Sequence, residues 1–510
     1  AFVQGTLRPE IVEELALSDF GLEMTSPDVQ GLALFPDGSH FFLWKDLDRT
    51  LRELERYSRE DARGLIEFGA RFLRFEEIIR PFRFTATPPS RGAVIKAFDD
   101  AGEAELFNDF VLSSTRNLLD KYFVSEHIKG LLTLYGLVSV WAGPDTPEGA
   151  YVYGYHAAGE FERTVGRWAF VKGGMGGITQ SLALAAQSRG VDVLVSAPVE
   201  EILVSSGRIS GVRLKRGETL HSRIVVSNAH PKLTFLKLLA EKHLDRRFRE
   251  RVGQIDTKGS MARIHLLVDR LPHYVGFGSD KQGPQHEGLA VLGCTVDNFQ
   301  KAFAAQMAGA FCDDYAIELV IQSAIDPTLA PKGLHTITLG VQNTPFKLVE
   351  GDWDSRKEAW GDHVCEMVFR YAPNLRGHVL GRHIITPLDL EREYGLVGGN
   401  IFHLPLTLEY AFDARPLPNS GGYRTPVPGL YLCGAGTYPG GAVTGIPGRN
   451  AAHAVLEDRA GLKVSPPRAA RKGFLDRVLE SEIGGELGYR IARSRLLRPV
   501  TRYFSNTRRD

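Results

Sequence analysis

Cysteine is scarce. The 510 residues hold four, at Cys294, Cys312, Cys365 and Cys433, with no Cys-x-x-Cys pair and no metal-ligand spacing. That excludes a disulfide framework and a cysteine-based metal site, and reads as reduced, buried thiols in a reducing compartment, hence a cytoplasmic protein. A surplus of one charge is also missing. Lys+Arg and Asp+Glu stand at 61 each, which removes the electrostatic argument for a nucleic-acid partner. Long hydrophobic runs are absent as well. The longest, Leu131 to Ala142, contains Gly136 and is too short to span a bilayer, so it reads as a core helix. The N-terminus has no basic-then-apolar signal pattern, and no repeat or low-complexity tract appears.

What is present is an ordinary globular composition, 43% hydrophobic and 24% charged, in a chain long enough for two or three domains. Two glycine-rich stretches stand out. In the first, residues 428–454, the apolar run Leu430 to Cys433 reads as a buried strand that is released into a turn by glycines. Gly434, Gly436, Gly440, Gly441 and Gly445 let backbone approach a ligand. A helix starting near Thr444 to Pro447 then offers free N–H groups and a positive dipole end to an anionic or electron-rich group. A tight turn with no ligand is the plain alternative, and a lone Gly-x-Gly decides nothing. The second stretch, Lys172 to Ile178, sets Gly173, Gly174, Gly176 and Gly177 ahead of a helix from Thr179 to Arg189.

Around these, the spacing predicts a mostly helical first third, with strands at Gly31 to Phe35 and His40 to Trp44 joined by Pro36-Asp37-Gly38-Ser39. Helices are expected from Asp46 to Tyr57, Ser58 to Ile79, Asn108 to Phe123 and Ser125 to Trp141. Arg80 to Arg91, rich in proline and arginine, reads as a loop, and Gly143 to Gly166 as a lid or an irregular wall. Strands follow at Val191 to Ser196, Val199 to Val204, Val212 to Lys215 and Arg223 to Ser227. Longer ones come after residue 232: Arg263 to Asp269, Leu289 to Thr295, Ile317 to Ser323, Thr336 to Gln342 and Val379 to Thr386. Helices Asp297 to Gly309 and Ser355 to Tyr371 interleave with them. Their apolar faces floor either a large apolar pocket or a filled core. The Arg-rich tail after Pro466-Pro467 has Leu, Val and Ile at helical spacing. It is expected either to dock on its own domain or to touch a membrane surface peripherally.

Three stretches together resemble one family. Lys172 to Ile178, the block Gly395-Leu-Val-Gly-Gly-Asn-Ile-Phe-His403, and Gly429 to Ala452 are similar to the phytoene-desaturase-like flavoproteins. Within these they resemble the branch of the pyridine nucleotide-disulphide oxidoreductase domain-containing protein 2. The resemblance implies a mixed α/β fold (α+β mixed) in which an incomplete FAD-binding Rossmann-like domain is interleaved with a sheet-plus-helix substrate domain. It divides the chain into a helical substrate or cap region at 1–170, FAD-domain parts at 171–230 and 421–462, a substrate domain at 231–420 and a basic tail at 463–510. FAD is the implied cofactor. Gly173, Gly174, Met175 and Gly176 would approach the isoalloxazine or its linker, and the backbone of Val199 the adenine. Gly434, Ala435, Gly436 and Thr437 match the C-terminal flavin motif, and Gly445, Ile446 and Pro447 the helix start beneath the pyrimidine edge. His403 is the catalytic candidate, as acid or base, with a structural histidine as its alternative. Tyr438 either walls the flavin or only packs.

Family members open with a Gly-x-Gly-x-x-Gly strand–turn–helix that this sequence lacks. The expectation is that the chain, which begins at Ala1, is an N-terminal truncation of a flavoenzyme. A central strand's buried side chains are worth on the order of 10 kcal/mol. The implied activity is an FAD-dependent oxidoreductase acting on an apolar small molecule of isoprenoid or lipid kind. The alternatives are a non-catalytic binding or scaffold protein with a degenerate FAD site and an amine-oxidase-like flavoenzyme.

Overall fold

A seven-stranded sheet takes its strands from distant parts of the chain, in the order 379–385, 261–268, 335–342, 317–320, 289–292, 29–34 and 40–44. The structure is a computed structural model describing residues 3–279, 281–418 and 420–460. Neighbours run antiparallel except Leu289–Leu292 and Val29–Leu34, which are parallel. The reason for the layering is legible in Met261–Val268. Ala262, Ile264, Leu266 and Val268 bury in the core beneath helices Val296–Met307 and Trp353–Tyr371, while the alternate residues face the other way. That second face carries the helical first third of the chain, whose core is rich in phenylalanine.

Helix Arg59–Arg83 is capped by the Ser58 hydroxyl, which accepts from the Asp61 amide, and it runs past the expected stop at Ile79. Pro81 removes one ladder donor, yet Ile79 and Phe84 are buried and Arg83 lies in a two-pronged buried pair with Glu76 at 2.6 and 2.7 Å. Packing of the last turn thus overrides the proline. Ser90, near the end of the stretch read as a loop, then caps a further helix, Arg91–Asp100. The expected helix Asn108 to Phe123 is broken by extended Ser113 and Ser114, and Ser114 caps Thr115–Asp120.

Two differences bear on the site. Residues 143–166 are not an irregular wall, because Gly149–Ala157 is a helix buried along its whole length. Apolar on every side, it has no amphipathic period by which to be recognised. Val191 to Ser196 is not a strand. No residue among those described pairs with it, and Val191 and Val195 are 51% and 81% exposed. An apolar run forms a strand only where a neighbour completes its ladder. Val199–Ser205 forms near its expected bounds, the strand expected at Val212 to Lys215 is the longer Arg208–Leu214, a strand that was not expected, Thr219–His221, completes the meander, and Val225–Ser227 pairs in parallel with Leu430–Leu432. The cysteines carry no disulfide. No helix among the described residues is long and apolar enough to cross a membrane. The expected tail, 463–510, lies outside the described residues.

Candidate active site

The parallel pair aims the chain at a cavity of about 1100 Å³. After Leu432 the Cys433 amide donates to Ser227, and Gly434 turns with φ +79° beside Asn228. Gly434 and Ala435 line the cavity, as do Gly440, Gly441, Ala442, Val443, Thr444, Gly445, Pro447 and Gly448. Helix Ile446–Ala460 begins here, with the Thr444 hydroxyl accepting from the Ile446 amide at 3.2 Å, so its positive end faces the space. The N-terminal segment closes the same end. Thr6 donates to the Ala442 carbonyl, the Arg8 amide donates to Thr444, and a Cβ on Gly445 would stand 2.8 Å from Ile11. At Gly448 a Cβ would meet nothing within 4 Å, which leaves open space beside the first helical turn.

The block Gly398 to His403 forms the next wall. Gly398 and Gly399, at φ +69° and +68°, press on the backbones of Thr257 and Pro387, where a Cβ would come within 2.0 and 2.5 Å of carbonyl oxygens. Asn400 accepts from the Phe402 amide at 2.8 Å, and Ile401 and Phe402 line the cavity. This wall is bound to the glycine loop by Arg415, which is wholly buried. Its guanidinium donates to the carbonyls of Ala435 (3.1 and 2.8 Å), Phe402 (2.6 Å) and Pro405 (2.9 Å), with longer bonds to Leu404 and Tyr410.

His403 itself does not line the cavity. Its backbone is left-handed (φ +65°), its ring lies 5.2 Å from that of His230, and its Nδ1 would be 3.4 Å from a Cβ on Gly436. Burial, with His230 and Arg415 nearby, pushes its pKa down to about 3, so the ring is neutral. His230 Nε2 lies 2.8 Å from the His403 carbonyl, and burial lowers its pKa to about 4.

One of the histidines that line the cavity is His156, on the helix 149–157. Its Nδ1 lies 3.0 Å from the Tyr135 carbonyl and 3.1 Å from that of Val152. Carbonyls only accept, so Nδ1 carries the proton and Nε2 the lone pair. Nε2 is buried with no protein partner, and burial holds the pKa near 4. The ring sits 5.6 Å from Phe402. Beyond it the walls are Leu134, Val138, Trp168 and Phe170, and the floor is the sheet at Met261, Arg263, His265 and Glu318.

Of the residues expected to hold the cofactor, Gly434, Ala435, Gly445 and Pro447 come together on the cavity. Gly436, Thr437 and Ile446 stand behind them. Thr437 is fully buried and donates to the Gly434 carbonyl, and Ile446 packs on Ile11 and Phe84. Tyr438 is buried without lining the cavity, its carbonyl accepting from Tyr423. Gly173, Gly174, Met175 and Gly176 lie outside the lining, as does Val199, which pairs with Leu214. The Gly173 amide donates to Asp326 at 2.7 Å, and a Cβ on Gly173 or Gly176 would meet open space. His156 and Arg415 were missed, since neither belongs to a motif.

A family model for flavin containing amine oxidoreductases matches residues 16–293. The chain belongs to this family. It is 33% identical over 491 residues to the pyridine nucleotide-disulfide oxidoreductase domain-containing protein 2 of Rattus norvegicus, covering 90% of this chain and 84% of that one. It is 26% identical over 338 residues to a phytoene desaturase (lycopene-forming) of Pseudescherichia vulneris, 64% of this chain and 62% of that one. The relatives expected from the glycine stretches are thus found by comparison. Among solved structures, an oxidoreductase from Methanosarcina mazei matches with a TM-score of 0.52 over 88% of this chain and 85% of that one, at 16% identity, which shows a shared fold. The family is flavin-containing, and the glycine loop, open first helical turn and positive helix end are what a flavin's electron-rich edge requires.

Proposed function

We propose that the chain is an FAD-dependent oxidoreductase acting on an apolar small molecule of isoprenoid or lipid kind. The observation that carries this reading is one continuous cavity, with the glycine loop 434–448 at one end and apolar walls over the sheet at the other. Gly434, Ala435, Gly445, Pro447 and Gly448 would hold the redox end of the cofactor. The dipole of helix 446–460 would favour negative charge on it. When bound, FAD supplies a two-electron acceptor at that end. The remaining work falls to the chain's own residues. Leu134, Val138, Phe170 and Phe402 exclude water and position a hydrocarbon segment by contact. His156 presents an unprotonated Nε2 to the cavity, its tautomer fixed by two carbonyls, and can take a hydrogen bond or a proton from the substrate there. His403, neutral and behind Gly436, supports the loop from outside the cavity. The test is anaerobic loss of flavin absorbance on adding lipids to the FAD-loaded protein. Reduction by apolar lipids supports the reading, whereas a bound flavin that no apolar compound reduces, and that amines reduce, opposes it.

A further inference from the structure

Two side chains of the cavity wall hold buried polar atoms that no protein group meets. His156, 2% exposed, leaves Nε2 without a partner, and Trp168 leaves its indole Nε1 without one. Such atoms are rare inside proteins, because each has given up its bond to water for nothing. Both rings are held in place. The Trp168 amide donates to Gln30 Oε1 at 2.9 Å, and its carbonyl accepts from the Ser26 hydroxyl at 2.8 Å. The indole lies on Gly5, where a Cβ would come within 2.8 Å of Cδ2, so only a residue without one lets it settle there. The His156 ring is held through Nδ1 by the carbonyls of Tyr135 and Val152.

The fold brings the two residues to one part of the wall. Tyr135 touches both, its carbonyl 3.0 Å from His156 Nδ1 and its ring 5.8 Å from that of Trp168. The N-terminal segment joins the elements that carry them. Gln4 exchanges backbone bonds with Ala169 at 2.7 and 2.6 Å, and the Gly5 carbonyl accepts from the Glu160 amide at 2.6 Å. The two atoms are opposite in kind. With the proton on Nδ1, His156 Nε2 only accepts, whereas an indole N–H only donates. A hydrocarbon answers neither atom, a carboxylate or ketone oxygen answers Trp168 alone, and an ammonium answers His156 alone. A hydroxyl answers both from a single oxygen. We propose that Trp168 and His156 together hold the hydroxyl of an apolar alcohol, Trp168 Nε1–H donating to its oxygen and His156 Nε2 accepting from its O–H. The inference rests on the proposed reading of this cavity as the substrate site and narrows the substrate class to hydroxylated apolar molecules.

Binding to the full chain is read by displacement of Nile red with decanol, methyl nonyl ether and undecane. The three are alike in length, but the first donates and accepts, the second only accepts and the third does neither. In the unaltered chain decanol should bind about fivefold more tightly than the ether, and equal or weaker binding overturns the proposal. His156→Phe should weaken decanol about fivefold or more while the ether and undecane hold within about twofold. Trp168→Phe should weaken decanol and the ether alike by about that factor and leave undecane. Decanol affinity retained in either folded variant overturns the proposal, water then serving the two atoms. So does a loss in His156→Phe that the ether shares, since an ether has no proton to give. Should one variant not fold, the other decides together with the unaltered chain. Displacement by none of the three refutes the apolar-substrate reading itself, and is distinct from displacement that neither variant alters.

Discussion

Replacing Arg415 with methionine keeps an unbranched chain about as long as the arginine's stem and removes every donor. Four of its bonds are 3.1 Å or shorter, to Ala435 (two), Phe402 and Pro405. Hydrogen bonds from a charged donor are worth about 1.5 kcal/mol each at the low end, so these four stabilise by about 6 kcal/mol. Against that stands the desolvation of the charge. Burial lowers the Arg415 pKa from 12.5 to about 10, a shift worth about 3 kcal/mol. The difference, about 3 kcal/mol, is a lower figure for the loss, since methionine also leaves carbonyls without donors. Urea unfolding measures it as a lower midpoint at unchanged slope. Because Arg415 joins the glycine loop to the Phe402 wall, FAD affinity should fall with stability. Arg415→Lys should recover only part, as an ammonium cannot span the set of carbonyls. A loss below about 1 kcal/mol for Arg415→Met would refute the argument that this guanidinium holds the two walls together.

His156, His230 and His403 are buried neutral with pKa values near 4, 4 and 3, against 6.5 when unfolded. The unfolded chain therefore binds more protons below about pH 6.5, and stability falls as pH drops from there towards 4. The slope reaches up to about 4 kcal/mol per pH unit from the three together, measured by urea titrations at several pH values, and one below about 1.4 counts against it. Glu76→Gln should cost about 3–5 kcal/mol by leaving the Arg83 charge buried and unpaired, seen as a lowered thermal midpoint. His156→Phe should keep FAD binding while slowing substrate-driven flavin reduction by about 10²-fold or more in stopped flow. An unchanged rate removes His156 from proton transfer.

Much of the fold was legible because period and capping announce it. Alternation in 261–268 and the Asp46 and Ser58 caps placed their elements to within a few residues. The glycine loop at 434–447 was legible because only glycine tolerates such backbone approach. What failed had no local signal. Helix 149–157 is buried on every side, so His156 passed as part of a wall. Residues 191–196 read as a strand, yet a ladder depends on a neighbour and not on the run itself. Arg415 sits next to a proline in a loop, and its role lies wholly in carbonyls brought near by folding. His403 was chosen from its motif, but the left-handed turn at that residue places its ring behind Gly436.

The space beside Gly448 is where the proposed flavin would enter. Gly448→Leu adds a side chain at a position in the first turn of a helix where a Cβ would meet no neighbouring group within 4 Å, so stability should hold or rise by up to about 1 kcal/mol. Titration of FAD, followed by quenching of its fluorescence, should show binding to the unaltered chain and at least a tenfold loss in Gly448→Leu, with the same thermal midpoint for the two apoproteins. Equal FAD affinity in both, or no FAD binding by a folded unaltered chain, would contradict it.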